Sequence, residues 1–182
     1  LNRTDPKKRG VEWKHLKHLT EGIVRFEATD EGNIDHLVFS SDGEYLVSKA
    51  DDSPLLVWDP KTGKKLNVVA DKTLEDKPFA DMAFAWNNRW FAFCGGENEI
   101  VLWDTATIPW KSRVLSLNTG PVRQSLSETC KFLSFSHDLV LMSVTQEAGS
   151  DDFAPSKVFL RQWDVFSGEQ ISDRIDLAEY FA

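Results

Sequence analysis

NIDHLVFSSDGEYLVSKADDSPLLVWDPKTGKKL, residues 33–66, reads as one antiparallel sheet written in order. Its first run alternates, placing Leu37 and Phe39 on one face. Ser41-Asp42-Gly43 supplies a turn, with Gly43 tolerating the positive φ that tight hairpins demand. Tyr45 to Val47 resumes as a second strand, which Ala50 to Pro54 breaks. Leu55 to Trp58 is apolar at every position, as expected of a strand covered on both faces. Asp59-Pro60-Lys61-Thr62-Gly63 turns the chain again, and Lys64 to Val69 reads as a fourth, more exposed strand.

The pattern recurs twice. Phe79, Met82, Phe84 and Trp86 lead to Asn87-Asn88, a pair that tolerates left-handed backbone. Arg89 to Cys94, EIVLWD (99–104) and Arg113 to Leu117 complete the second unit. The third is irregular. Its first two strands are either Pro121 to Leu126 and KFLSFSHD (131–138), or KFLSFS and LVLMSV (139–144). The second choice leaves no surplus strand. Either way VFLRQWD (158–164) is the third strand and Gln170 to Leu177 the last. The pairs Trp58-Asp59, Trp103-Asp104 and Trp163-Asp164 lie 45 and 60 residues apart. A period near 45 marks repeat architectures, and the longer third interval implies an insertion before Trp163.

These residues resemble the WD-repeat β-propeller family, through LVFSSDGEYLVS…LLVWDPKTG, MAFAWNNRWFAF…IVLWDTAT and LSFSHDLVLMSV…VFLRQWDVFSG. The resemblance covers about 33–177. It implies an all-β fold of four-stranded antiparallel propeller blades, at about 33–75, 78–118 and 120–177, with Trp58, Trp103 and Trp163 packed between blades. A leading strand, Gly22 to Ala28, precedes them. Residues 1–21 form a polar arm and 178–182 a tail. The family often adds a Gly-His pair, a Ser or Thr and an Asp that bond with the Trp. No Gly-His precedes any repeat here. Ser48 and Asp52 match two members in the first unit, and Cys94 and Asn98 stand at about the same places in the second. Packing, rather than that polar network, is therefore expected to hold the blades. Three blades cannot close a ring, since propellers typically have about 4–8. The segment, which begins at Leu1 and not Met, is expected to be part of a larger propeller, with the remaining blades as partners.

Composition narrows the function. The 182 residues are 41% hydrophobic and 27% charged, a globular balance that excludes disorder of the whole chain. The net charge of −8 opposes non-specific nucleic-acid binding. The basic cluster Lys7, Lys8, Arg9, Lys14 and Lys17 reads as a solvated terminal arm. No run of 18 apolar residues exists, so no membrane span is expected. Cys94 and Cys130 could form one bridge but are too few for a disulfide framework, and read as free core thiols in the reducing compartment of an intracellular, cytoplasmic protein.

Chemical motifs are weak. Gly95-Gly96 precedes Glu97, which would repel phosphate. His15 and His18 have no third ligand nearby for a metal. Asp51-Asp52 and Asp151-Asp152 read as solvated loop acids, and His137-Asp138 near Ser134 and Ser136 as a polar turn. No cofactor and no enzymatic activity are expected. In the family, the loops entering a blade and those joining its second and third strands share one face. Here that face would carry Asp51, Asp52, Asp71, Glu75, Glu97, Glu99, Glu147, Asp151, Asp152 and Phe153. Acidic loops favour basic peptides or protein surfaces, and Phe153 would be an apolar anchor. The leading expectation is a non-catalytic protein–protein interaction scaffold. The alternative is the sensor region of a multidomain signalling protein with an upstream NTPase or kinase. A weaker third reading is a propeller hydrolase using His137 and Asp138.

Overall fold

The computed structural model describes residues 34–50, 54–66, 79–95, 98–117, 127–149 and 155–180. The expected strand Gly22 to Ala28, the arm 1–21 and the segment Pro121 to Leu126 lie outside them. Among the described residues, twelve strands form three sheets. Sheet one holds β1 (Ile34–Phe39), β2 (Leu46–Ala50), β3 (Leu56–Asp59) and β4 (Lys64–Leu66). Sheet two holds β5 (Phe79–Phe84), β6 (Trp90–Gly95), β7 (Glu99–Asp104) and β8 (Lys111–Ser116). Sheet three holds β9 (Glu128–Phe135), β10 (Val140–Glu147), β11 (Lys157–Asp164) and β12 (Ile175–Asp176). Each sheet is antiparallel and its strands lie side by side in chain order.

Turn chemistry explains the order. The β1–β2, β5–β6 and β9–β10 hairpins turn through left-handed Gly43 (φ 70), Asn88 (φ 58) and Leu139 (φ 60). The β3–β4 turn uses Gly63 (φ 71), and the turn after β11 uses Gly168 (φ 77). The third unit takes the arrangement in which KFLSFS and LVLMSV are successive strands. Its last strand is shorter than the expected Gln170 to Leu177. Gln170 makes only a bridge to Trp163, and β12 is followed by a 3-10 helix, Leu177–Tyr180. The Gln170 side chain accepts from Arg161 (2.8 Å) and donates to the Ser172 carbonyl (2.5 Å), beside the bend that separates this bridge from β12.

One rule governs the packing between sheets. Trp58 pairs with Leu46, Trp103 with Phe91 and Trp163 with Leu141, so all three occupy the same station in their sheets. Trp103 lies in the core between sheets one and two, with Val47, Val57, Phe91 and Phe93. Trp163 lies in the core between sheets two and three, with Leu102, Leu115, Leu133 and Leu141. Each therefore faces the sheet before its own. Trp58, Leu46 and Leu56 form a separate buried cluster on the other face of sheet one. The first strands are neighbours, β1 beside β5 and β5 beside β9. Across the latter pair Asp81 Oδ2 accepts the Leu133 N–H at 2.8 Å, just past a bulge in β9.

Two expectations are corrected. Cys94 on β6 and Cys130 on β9 are not free: they form a disulfide across the boundary of sheets two and three, Cα atoms 5.7 Å apart. Both thiols point into the same core, which sequence spacing cannot reveal. The expectation of a reducing compartment rested on free thiols and loses that support. The Trp residues are also not held by packing alone. Trp58 Nε1 donates to Ser48 Oγ (2.8 Å), and Trp163 Nε1 to Ser143 Oγ (3.0 Å). In sheet two the register puts Phe93, not Cys94, at that station, and Phe93 meets Trp103 edge to face at 6.3 Å. Among the described residues, no helix is long and apolar enough to cross a membrane.

Gly168 gives a local test. A Cβ there would meet Arg113 Nη1 at 3.1 Å and Leu115 Cδ2 at 3.3 Å, whereas one at Gly43 meets nothing within 4 Å. Both sites charge for left-handed backbone, about 1–2 kcal/mol. Gly168→Ala should therefore cost more than Gly43→Ala in denaturant unfolding. Equal costs would mean that the Arg113 contact is absent.

Candidate interaction surface

Antiparallel order gives the sheets two ends. The β2–β3, β6–β7 and β10–β11 connections lie at one end, with the starts of β5 and β9. The β1–β2, β5–β6, β9–β10, β3–β4 and β7–β8 turns lie at the other.

The expected face residues Asp51, Asp52, Asp71, Glu75, Glu97, Asp151, Asp152 and Phe153 lie outside the described residues. Glu99 opens β7 opposite Ser116 and is half-buried. The same end holds Glu147, and also Glu128, which the sequence reading passed over. Glu128 is buried and receives Arg161 through two bonds, Nε to Oε1 (2.9 Å) and Nη2 to Oε2 (2.6 Å). The Thr145 hydroxyl also donates to Oε1. Arg174 sits 2.6 Å from Glu147 and 3.8 Å from Glu128, its guanidinium 3.9 Å from the Phe159 ring centroid. A fork-to-fork ion pair with its remaining lone pairs satisfied is the geometry a buried charge requires. Glu128 and Glu147 are thus matched by arginines within the chain and add little to an acidic surface.

Asn98 fastens this network to sheet two. Its N–H donates to the Glu128 carbonyl (2.7 Å), and its Oδ1 accepts the Glu128 N–H (3.0 Å). Its own carbonyl accepts from Leu117 N–H (2.9 Å). Asn98 therefore joins the β6–β7 loop to the start of β9, and is not a partner of Trp103. Its left-handed backbone (φ 61) suits asparagine. A signal for the ion pair was present in the sequence. Arg161 stands where Leu56 and Val101 stand in the other units, two residues before the Trp on the core face. A charge at such a position requires a buried partner.

At the second end the three Asp residues of the Trp-Asp pairs cap turns. Asp59 accepts the Lys61 N–H (2.8 Å) and the Thr62 hydroxyl. Asp104 accepts the Ala106 N–H (3.0 Å) and the Arg89 guanidinium (3.1 Å). Asp164 accepts the N–H groups of Phe166 (2.9 Å) and Ser167 (2.7 Å). The Thr62 hydroxyl, then the Lys61 N–H, hold Asp59 below the ordinary carboxylate range, and the Ser167 N–H does the same for Asp164. A depressed folded pKa means that these contacts help at pH values above the unfolded value of about 3.9. Their contribution is lost as pH falls through the folded values. Melting temperature should therefore fall below about pH 4, and Asp164→Asn, which keeps an acceptor, should make that acid limb shallower. An unchanged acid limb would remove this role.

Two aromatic features flank these turns. Trp90 is buried with Phe166 edge-on at 5.8 Å, and guanidinium carbons of Arg89 and Arg113 lie 5.3 and 5.8 Å from its ring. Trp86, at the β5–β6 turn, is 51% exposed. Its ring is stacked on His137 of the β9–β10 turn at 4.7 Å and 1°. Its Nε1 donates to the His137 carbonyl at 2.7 Å. Ser136 Oγ accepts the Val140 N–H at 3.1 Å, a turn contact. The sequence matches no protein-family model. No curated protein resembles it significantly.

Proposed function

We propose that this chain is a segment of a WD-repeat β-propeller and works as a non-catalytic scaffold for protein–protein interaction. The observation that carries the reading is the repeated seating of a third-strand Trp against the preceding sheet, with β1, β5 and β9 side by side. Three equivalent sheets stacked by one rule are what a radial array needs. The two ends of the stack fit the same reading. The outer face of sheet three carries Phe132, 65% exposed, and sheet one presents Leu37 at 60% and Phe39 at 58%. Such faces suit further blades of the same propeller, as partners in the assembled ring. The remaining partners are proteins or peptides with basic surfaces, drawn by the acidic composition.

The chain by itself should expose those faces. It should bind an apolar dye and self-associate, and Phe132→Glu should reduce both. A monomer with a sharp unfolding transition and no dye binding would sink the propeller-segment reading.

A further inference from the structure

The β5–β6 and β9–β10 turns place the Trp86–His137 stack on the surface, at the end that also holds the β1–β2 turn. Tryptophan is costly to leave half-exposed, and its polar group is already satisfied here by the His137 carbonyl. One ring face is covered by the imidazole, so the exposure lies on the other face and the edge. The ring is also held firmly. Its turn is closed by Asn88 N–H to Ala85 carbonyl (2.9 Å) and Ala85 N–H to Trp90 carbonyl (2.8 Å). The neighbouring turn of sheet one is tied in by Asp42 N–H to Asn88 Oδ1 (3.2 Å). What remains is a rigid π surface with no internal use for its open face.

The charges beside it choose the partner. Exposed Asp138 follows His137 directly, and exposed Asp42 lies on the adjoining turn. Among the described residues no ion pair engages either. Arg89 is paired with Asp104 and Lys61 with Glu44. Against the upward push of its slight burial, Asp42 is held below the ordinary carboxylate range by the Ser40 hydroxyl (2.6 Å) and the Glu44 N–H (3.0 Å) and shares the field of Lys61, so Asp138 carries the open negative charge here. An exposed indole beside the Asp138 carboxylate attracts a cation through both the ring quadrupole and that charge, with Asp42 adding less.

We propose that Trp86, with Asp138 and Asp42, forms a docking site for an arginine- or lysine-bearing segment of a protein partner. The site rests on the scaffold reading and gives that scaffold a second binding end. Its position on two adjacent sheets means that it exists only when sheets two and three are packed together.

The test uses the full chain and a capped Gly-Arg repeat peptide, with its Gly-citrulline counterpart as the uncharged control. Indole N–H resonances are followed by NMR, that of Trp86 being identified by its loss in Trp86→Leu. The Gly-Arg peptide should shift the Trp86 resonance and the citrulline peptide should not. Trp86→Leu should weaken the peptide about tenfold and Asp138→Asn about threefold, with binding weakened by salt. Equal binding of both peptides would overturn the cationic partner. A Trp86→Leu variant that melts lower but binds the peptide unchanged would reduce the stack to a staple between sheets, also overturning the site. Peptide shifts confined to Glu99 and the opposite end would overturn the site and leave the scaffold reading intact. Absence of any binding would overturn it too.

Discussion

Trp103→Ala should lower the free energy of unfolding by roughly 3–5 kcal/mol. Trp103 is 1% exposed and sits where sheets one and two meet. Removing the indole leaves a cavity bounded by Phe91 and Phe93, whose centroids lie 5.5 and 6.3 Å from the Trp ring. Both belong to β6, a strand paired on either side by β5 and β7, so the walls have little freedom to collapse inward. Chemical denaturation of the variant gives the number directly. A loss under about 1 kcal/mol would contradict burial of this ring between two sheets.

Arg161→Ala should cost about as much by a different route, roughly 3–5 kcal/mol, because it strands a buried carboxylate. Glu128 is 2% exposed and takes two of its bonds from Arg161. Arg174, at 3.8 Å, is too far and too exposed to replace the fork. Replacing both partners by apolar residues should cost much less than Arg161→Ala, since the desolvation penalty of both charges disappears with them. If the single and double variants were equally damaged, the ion pair would not be the reason. The same network fixes the start of β9 to Asn98, so Arg161→Ala should also loosen the junction of sheets two and three. Hydrogen exchange at the Glu128 amide would read that loosening.

The strands were legible because their physics is local. Alternation in β1, the left-handed Asn88 and the Gly at the third-strand turns each state their role within a few residues. The Trp-Asp pairs gave register as well as existence, for the three tryptophans occupy one station. Apart from the seating of Trp103 and Trp163, what escaped was settled between sheets. Cys94 and Cys130 are 36 residues apart, and no pattern announces that β6 and β9 bring them together. Phe93 displaced Cys94 from the serine station because one residue of register moves a side chain to the opposite face. Ahead of the shortened β12, Gln170 is bonded to Arg161, a contact beyond the reach of turn chemistry. Arg161 itself was readable as a charge on a core face, although its partner was not. Of the acidic loop residues singled out beforehand, Glu99 and Glu147 lie among the described residues, and Glu147 is paired with Arg174. Trp86 read as the end of a strand, but β5 stops at Phe84 and Trp86 lies in the turn that exposes it.

The account's central claim is that each sheet seats its tryptophan on the sheet before it. A double-mutant cycle between Val57→Ala of sheet one and Trp103→Phe of sheet two tests this most directly, since both residues share one core but belong to different sheets. The account predicts a coupling energy of about 0.5–3 kcal/mol. Additive losses, with coupling indistinguishable from zero, would contradict it.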